Sequence, residues 1–466
     1  MSVYLVIAEL ASIAPIAGGQ YFWTSILAPK RYRWLTSLAW IATLATGSTF
    51  VGTMIQGVII LNYPNYNPKQ YHGTLLCWAV IAVAVFVNTV VSSLLPVIEV
   101  FILFVHITGF VAIMITLVYL APHGSTTDVF HTVLNGGNWP TQGLSFCVGF
   151  IGNVATFVGA DASVHMSEEI ENASSNVPRA IFFTMVLNGS MGFAMALAVL
   201  FCLGDPEKVL ETATGFPFIQ VFYNGTQSKA GASVMTSIVI ALGWSAVIGF
   251  LATASRMVWS FARDKGLPFH RYISKVDNRN SIPVVAIVIV TIIPCLLALI
   301  YIGSSTVFED VVSLSVSGLY ASYFVPCSLL LWSRTHGQIR DRSSRDDSEE
   351  DLALSGSSPR GSTHGMSNED QKQPTAQPLL VWGPWRVPGI FGTINNAFAC
   401  VYIVFVLFWS FWPPATPATA ENMNYSVLMT GSVIGFSIVY YIIWGKKEYK
   451  GPLIDREVLG FARHDI

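Results

Sequence analysis

The chain has 466 residues and a formal net charge of −2. Hydrophobic residues make up 53% of it and charged residues only 11%, against about 25% charged in an ordinary soluble domain. That balance describes a chain solvated mainly by lipid, and nothing in it points to a nucleic-acid partner.

A membrane-crossing helix needs about 20 mostly apolar residues. The first apolar stretch, Ser2–Pro15, is too short. At 1.5 Å per residue it covers only about 20 Å of a hydrocarbon core about 30 Å thick. It carries Glu9, and it lacks the charged start and cleavage site of a signal peptide. Ten later stretches qualify: Leu35–Leu61, Thr74–Leu95, Val97–Leu120, Gly143–His165, Ala180–Leu203, Gly231–Ala254, Pro283–Ile302, Val311–Trp332, Gly389–Phe411 and Tyr425–Trp444. The expected fold is therefore an all-α polytopic membrane protein.

Basic residues orient these spans, because Lys and Arg concentrate on the cytoplasmic side. With the segment after Ser2–Pro15 placed in the cytoplasm, all 25 Lys and Arg fall inside except Lys69, Lys208 and Lys229. A miscounted span would mix the two sides. The C-terminus is expected in the cytoplasm. The triplets at Asn224 and Asn424 fall outside and are candidate glycosylation acceptors.

Most connections are short. The exception, Ser333–Pro388, is rich in Ser, Asp, Glu, Gly and Pro and reads as a disordered cytoplasmic linker. The chain then divides into a core over 1–332, that linker, two helices over 389–445 and a tail over 446–466. Phe261–Asn280 mixes basic residues with Phe261, Leu267, Phe269 and Tyr272, a pattern suited to the inner membrane surface.

No HExxH, GxSxG or GxxxxGK pattern is present. The six cysteines, Cys77, Cys147, Cys202, Cys295, Cys327 and Cys400, form no CxxC pair, which argues against a zinc site or a disulfide framework. The expectation is a protein that is not an enzyme and takes no cofactor or metal. Attention moves to polar groups inside spans, where ionisable residues are costly and mark function by default.

The strongest is Asp161, in the run GFIGNVATFVGADASVHMSEEI. Gly149, Gly152 and Gly159 weaken the helix locally, and transporter sites use helices broken near the midplane. A break is expected around Phe157, Val158, Gly159, Ala160 and Asp161. Phe157 would cover a solute or stack on its amine, and Asp161 would pair with a cation or carry a proton. The alternative is that Asp161 caps local backbone or bonds to a neighbouring helix. His165 follows four residues later, and Glu168 and Glu169 continue towards the cytoplasm. Together they form either a proton relay or, for the two glutamates, an interfacial helix end paired with basic loop residues.

Weaker candidates are Glu99 and His106 in the Val97 span and Ser48 beside Gly47 and Thr49. Small polar residues there usually pack helices, as does the GxxxG of Gly431 and Gly435.

Three motifs carry a family resemblance. They are AELASIAPIAGGQYFWTSILAP at Ala8–Pro29, FVGADASVHMSEEIENASSNVPRAI at Phe157–Ile181 and ASRMVWSFARDKGLPFHRYISKV at Ala254–Val276. Together they resemble the amino acid–polyamine–organocation superfamily, in its fungal amino acid, γ-aminobutyrate and choline permease branch. The resemblance implies twelve helices, with helices 1–5 and 6–10 as inverted repeats. It implies a solute site between broken helices 1 and 6, lined also by helices 3, 8 and 10. Gly159-Ala160-Asp161 falls on the helix 6 break, and Ser2–Pro15 becomes the end of helix 2. Helix 1 and the start of helix 2 have no counterpart in the sequence as read, which leads to the expectation of a piece of a longer permease. The implied function is transport of a small amine-bearing solute by alternating access, coupled to protons, in a plasma or vacuolar membrane. The alternatives are a non-transporting nutrient sensor or an inactive fragment.

Overall fold

The computed structural model describes residues 1–28, 39–277, 282–300, 302, 307–341, 380–420, 422–449 and 451, with backbone only at 39–42 and 307–312. The helices, in order, are α1 (Ser2–Ile13), α2 (Gln20–Leu27), α3 (Ala39–Asn62), α4 (Gln70–Thr89), α5 (Leu95–Leu120), α6 (Thr126–Phe130) and α7 (Gln142–Ala155). There follow α8 (Ala173–Phe201), α9 (Pro206–Leu210), α10 (Pro217–Thr226), α11 (Lys229–Arg263), α12 (His270–Ile273), α13 (Val284–Ile300) and α14 (Val307–Thr335). The last are α15 (Gly389–Trp409), α16 (Ser426–Tyr440) and α17 (Lys446–Glu448).

Eight of the described helices are long and apolar enough to cross a membrane. This is an integral, multi-pass, all-α membrane protein. Two of the ten expected spans contain shorter helices. α13 has 17 residues. The Gly143–His165 stretch is interrupted: α7 stops at Ala155, the chain turns through 156–161, and a 3-10 segment runs Ala162–Glu169. Gly149 and Gly152 stay inside α7; Gly159 alone of the three takes a left-handed φ of 99°. Only glycine adopts that backbone without penalty.

Two packing groups form the body. α3, α4, α11 and α13 pack on one another, while α1 packs on α8 and α15. α14 joins them by touching α2, α3 and α15. Lipid-facing surfaces are apolar, as on α5, where Val100, Phe101 and Phe104 are exposed. Gly431 and Gly435 also face outwards: a methyl group placed on either would meet nothing within 4 Å. The expected packing role of this GxxxG is therefore absent, because α16 turns that face away from its neighbours.

α14 carries Pro326 in its interior, and proline removes a backbone donor from the ladder. Just beyond it, buried Asn396 of α15 meets the α14 backbone. In the amide orientation that satisfies both groups, its nitrogen donates to the Cys327 carbonyl (3.0 Å) and its oxygen accepts from the Leu331 amide (3.1 Å).

The stretch expected to be a disordered linker is ordered at both ends. α14 continues to Thr335, and Ile339–Arg340 pairs in parallel with Leu380–Val381. Residues 342–379 lie outside the described residues. After the strand pair, 382–388 straps across the end of α1. Trp385 N donates to Ser12 Oγ (2.9 Å), and Val387 N donates to Glu9 Oε1 (2.9 Å). Glu9 also takes Arg334 at 2.6 Å, with the two side chains 0% and 8% exposed. The Arg334 guanidinium lies 4.6 Å over the Trp382 ring.

Of the two outer triplets, Asn424 is buried, and its amide nitrogen donates to the Ser410 (2.8 Å) and Trp412 (3.1 Å) carbonyls. A glycan there is incompatible with this packing. Asn424→Gln therefore leaves the endoglycosidase-sensitive mobility of the chain unchanged on gels.

Removing one partner of a buried ion pair leaves the other charge uncompensated, at about 3 kcal/mol or more. Glu9→Ala is expected to lower the thermal midpoint in detergent markedly. The double change Glu9→Leu with Arg334→Leu lowers it less, and equal losses would contradict this account of the pair.

Candidate functional site

The interrupted helix places Asp161 at the first position before the 3-10 segment, and its side chain is fully buried. Both carboxylate oxygens are occupied by neutral donors. Gln20 Nε2 donates to Oδ2 at 2.7 Å, and the Tyr323 hydroxyl donates to Oδ1 at 2.7 Å. His165 Nε2 lies 4.0 Å from Oδ2. Three separate elements, α2, α14 and the 3-10 segment, thus converge on one carboxylate. Hydrogen bonds to an ionised acceptor are stronger than neutral ones, which suits a charge held away from water.

The turn between α1 and α2 fits against this segment. His165 Nδ1 lies 2.8 Å from the Ala17 carbonyl. Gly19 has a φ of 51°, and a methyl there would sit 2.8 Å from His165 Cε1. Its neighbour Gly18 has the Tyr21 ring at 2.7 Å from the same position. The break also frees the Phe157 carbonyl from the α7 ladder. Tyr4 of α1 donates its hydroxyl to it at 2.7 Å.

The far end of the 3-10 segment is cross-linked to α11. Arg263 makes a bidentate contact with Glu168 (3.1 and 3.2 Å), and Ala17 N donates to Glu168 Oε1 (3.2 Å). Arg256 holds Glu169 at 2.7 and 3.4 Å. The buried Tyr21 hydroxyl bonds Ser260 Oγ (2.7 Å) and donates to Asp264 Oδ2 (2.8 Å). The two ion pairs are partly exposed, so each contributes only about 0.2–1 kcal/mol. Their number and placement, rather than their individual strength, close this end.

The sequence candidates divide accordingly. Asp161 and His165 are together at the break. Glu168 and Glu169 lie beyond them, in ion pairs with α11. Phe157 is half-buried, and its ring lies towards Gly189 of α8, 3.9 Å from a methyl built there. Val158 and Ala160 are half-buried and pack on the main apolar core. Gly159 faces the Phe250 ring of α11, 3.1 Å from a methyl built on it. Ser48 is in a different place. It is buried and donates to the Ala45 carbonyl (3.1 Å), and the Cys77 thiol of α4 donates to it (3.5 Å). Ser48 bonds at the α3–α4 packing surface, and none of its hydrogen bonds reaches 157–161. Its neighbour Gly47 touches the same Phe250 ring. Glu99 is exposed on α5 and His106 is half-buried.

Gln20, Tyr323, Tyr4 and Phe250 do not stand out in the sequence. Gln20 lies in the GGQYFW run, and Tyr323 is a hydroxyl in the middle of an apolar span. Either feature marks a polar group needing a partner; neither says which one. Beside the middle of α7 lies a cavity of ≈ 140 Å³ lined by Val148, Ile151, Ser313, Trp409 and Asn424 among others. Among the described residues, no group of three His, Cys, Asp or Glu is arranged to hold a metal.

A membrane helix broken beside a buried carboxylate is a feature that transporter sites use. Residues 1–433 match the sequence model of the family described as amino acid permease, and the chain belongs to that family. It is 27% identical over 434 residues to a putative amino acid/polyamine transporter of Macrophomina phaseolina, covering 91% of this chain and 87% of that one. It is 28% identical over 454 residues to the choline transporter of Saccharomyces cerevisiae, covering 95% and 72%. It is 30% identical over 339 residues to the swainsonine transporter of Arthroderma benhamiae, covering 70% and 66%. The shared class is transport of an amine-bearing solute across a membrane.

Gly159→Ala forces a methyl into a left-handed backbone at φ 99° and against Phe250. The cost is about 1–2 kcal/mol. The expected result is a lower thermal midpoint in detergent; an unchanged midpoint would show that the break tolerates a side chain.

Proposed function

We propose that the chain carries a small amine-bearing solute by alternating access, and that Asp161 is the group engaged by the solute's ammonium or by the coupling proton. The observation that carries this reading is the Asp161 carboxylate itself. It is fully buried at a helix break, with its oxygens occupied by the neutral groups of Gln20 and Tyr323. Among the described residues no Lys or Arg pairs with it, and a buried carboxylate in that position has a high affinity for any positive charge that reaches it. A primary ammonium donates the same hydrogen bonds that Gln20 and Tyr323 supply, so exchange between them leaves no oxygen unsatisfied. The quaternary nitrogen of choline has no N–H and would engage the carboxylate through charge alone, with Gln20 and Tyr323 still in place. His165 Nε2 lies 4.0 Å away, beyond direct hydrogen-bond reach, and would share a proton with it only on closer approach or through a water.

Phe157, Val158, Gly159 and Ala160 supply the freed backbone and apolar cover beside that carboxylate. Glu168 and Glu169 act in closure. Their pairs with Arg263 and Arg256, with Tyr21 on Asp264, hold the path shut at the end rich in basic residues, which we assign to the cytoplasm. Release inward requires these contacts to part. Amino acids, γ-aminobutyrate and choline are the candidate solutes, with proton-coupled uptake at the plasma membrane. The family assignment and the relatives' names support an amine-bearing cargo.

Uptake of labelled amines by cells expressing the full chain tests this. Asp161→Asn is expected to reduce uptake at least about tenfold, or to abolish its dependence on external pH, at equal surface delivery. Transport that persists with the same pH profile would remove Asp161 from the mechanism.

A further inference from the structure

We propose that the connection between α11 and α13, together with the end of the last helix, is a docking surface for anionic phospholipid headgroups. The connection does not follow the pattern of an ordinary solvated loop. Phe269 and Tyr272 are 77% and 63% exposed. Phe269 takes a left-handed φ of 57°, which is strained for a bulky residue. A strained backbone that holds an aromatic ring in water is unfavourable twice over. The same ring placed at headgroup depth is stabilised.

Cations surround the two rings. Lys265, Arg271 and Lys275 are exposed, and the Lys275 ammonium lies 5.1 Å over the Tyr272 ring. The end of the last helix adds Lys446 and Lys447, also exposed. The two parts are physically joined. Tyr440 donates its hydroxyl to the Gly266 carbonyl (3.2 Å), and the Phe261 and Tyr449 rings pack 5.6 Å apart. The nearby acids are fewer. Asp264 is buried and bonded to Tyr21, and Glu168 and Glu169 are exposed but paired with Arg263 and Arg256. On the connection and the last helix themselves, the exposed acids among the described residues are Asp277 and Glu448.

Hydrogen bonds tie the connection at two points. Trp259 Nε1 donates to the Ser274 carbonyl (3.1 Å), and Asp277 N donates to the Ile282 carbonyl (2.9 Å). Depth is set by the last helix. Ile442 and Ile443 are exposed apolar residues, followed by Trp444 and then the two lysines. That order runs from hydrocarbon through the interface to the headgroup phosphates. A surface with aromatic rings at the interface and cations just above it matches a phosphate-bearing, net-negative lipid. It offers no comparable match to a zwitterionic one.

The test uses the purified full chain in neutral detergent, with its thermal midpoint followed as lipid is added in mixed micelles. Phosphatidylserine is expected to raise the midpoint, and phosphatidylcholine is not. The rise shrinks at about 0.5 M salt, where exposed charges are screened. Free phosphate or glycerophosphoserine produces none of it, which separates a lipid surface from a soluble anion. The triple variant Lys265→Gln, Arg271→Gln, Lys275→Gln is expected to weaken the apparent lipid affinity on the order of 100-fold, about fivefold per cation. Lys208→Gln, at the other end of the molecule, leaves it unchanged. Equal stabilisation by both lipids overturns the proposal, and so does a triple variant with the wild-type response. Should the triple variant fail to fold, Arg271→Gln alone and the salt dependence of the unaltered chain decide the question.

Discussion

Within an apolar slab a backbone amide has no water to bond, so a membrane helix that stops must pass its freed groups to some other part of the protein. The turn at 156–161 imposes that demand. Its consequences run through the neighbouring elements. Tyr4 takes the Phe157 carbonyl, Ala17 meets His165, and Gln20 and Tyr323 take Asp161. α1, the α1–α2 turn and α14 are therefore held in place by what the break leaves unsatisfied. Gly19 of that turn follows from the same geometry, since it leaves no room for a side chain beside His165, whereas Gly18 is set by the Tyr21 ring.

Charge is distributed as unevenly as backbone. The described ion pairs that join separate elements are Glu168–Arg263, Glu169–Arg256, Glu9–Arg334 and Asp341–Arg386. All use basic residues from the side that the sequence assigns to the cytoplasm. The pair Lys208–Asp205, on the other side, spans one turn only. The partly exposed pairs of Glu168 and Glu169 can be undone by water and movement at modest cost, whereas the buried Glu9–Arg334 pair cannot. The helix break is tied by the buried hydrogen bonds of Asp161, which are costly to leave unmade.

Much of this is legible before any coordinates. The spans follow from apolar length. The interruption follows from glycine next to an acid in an apolar run, and the structure sets it at 156–161. Asp161 and His165 emerge as neighbours because four residues separate them, although the backbone between them is 3-10 rather than α. Ser48 reads as a helix-packing residue and a weaker candidate for solute contact, and its hydroxyl bonds within the α3–α4 contact. Gly431 and Gly435 look like a packing face, yet the last helix turns them outwards. A short-range pattern states that a residue is small or polar, while the helix rotation that decides its partner depends on neighbours distant in the chain.

The membrane class, the position of the helix break and the one acid most costly to bury were all written in the order of residues. Each depends on local composition measured against a bilayer of known thickness and dielectric. The groups that hold that acid came only with the packed molecule. Gln20 and Tyr323 lie 141 and 162 residues from Asp161 along the chain. Hydrogen bonds are short and directional, so which donor reaches a buried carboxylate is settled only when helices from both ends of the chain have packed around it.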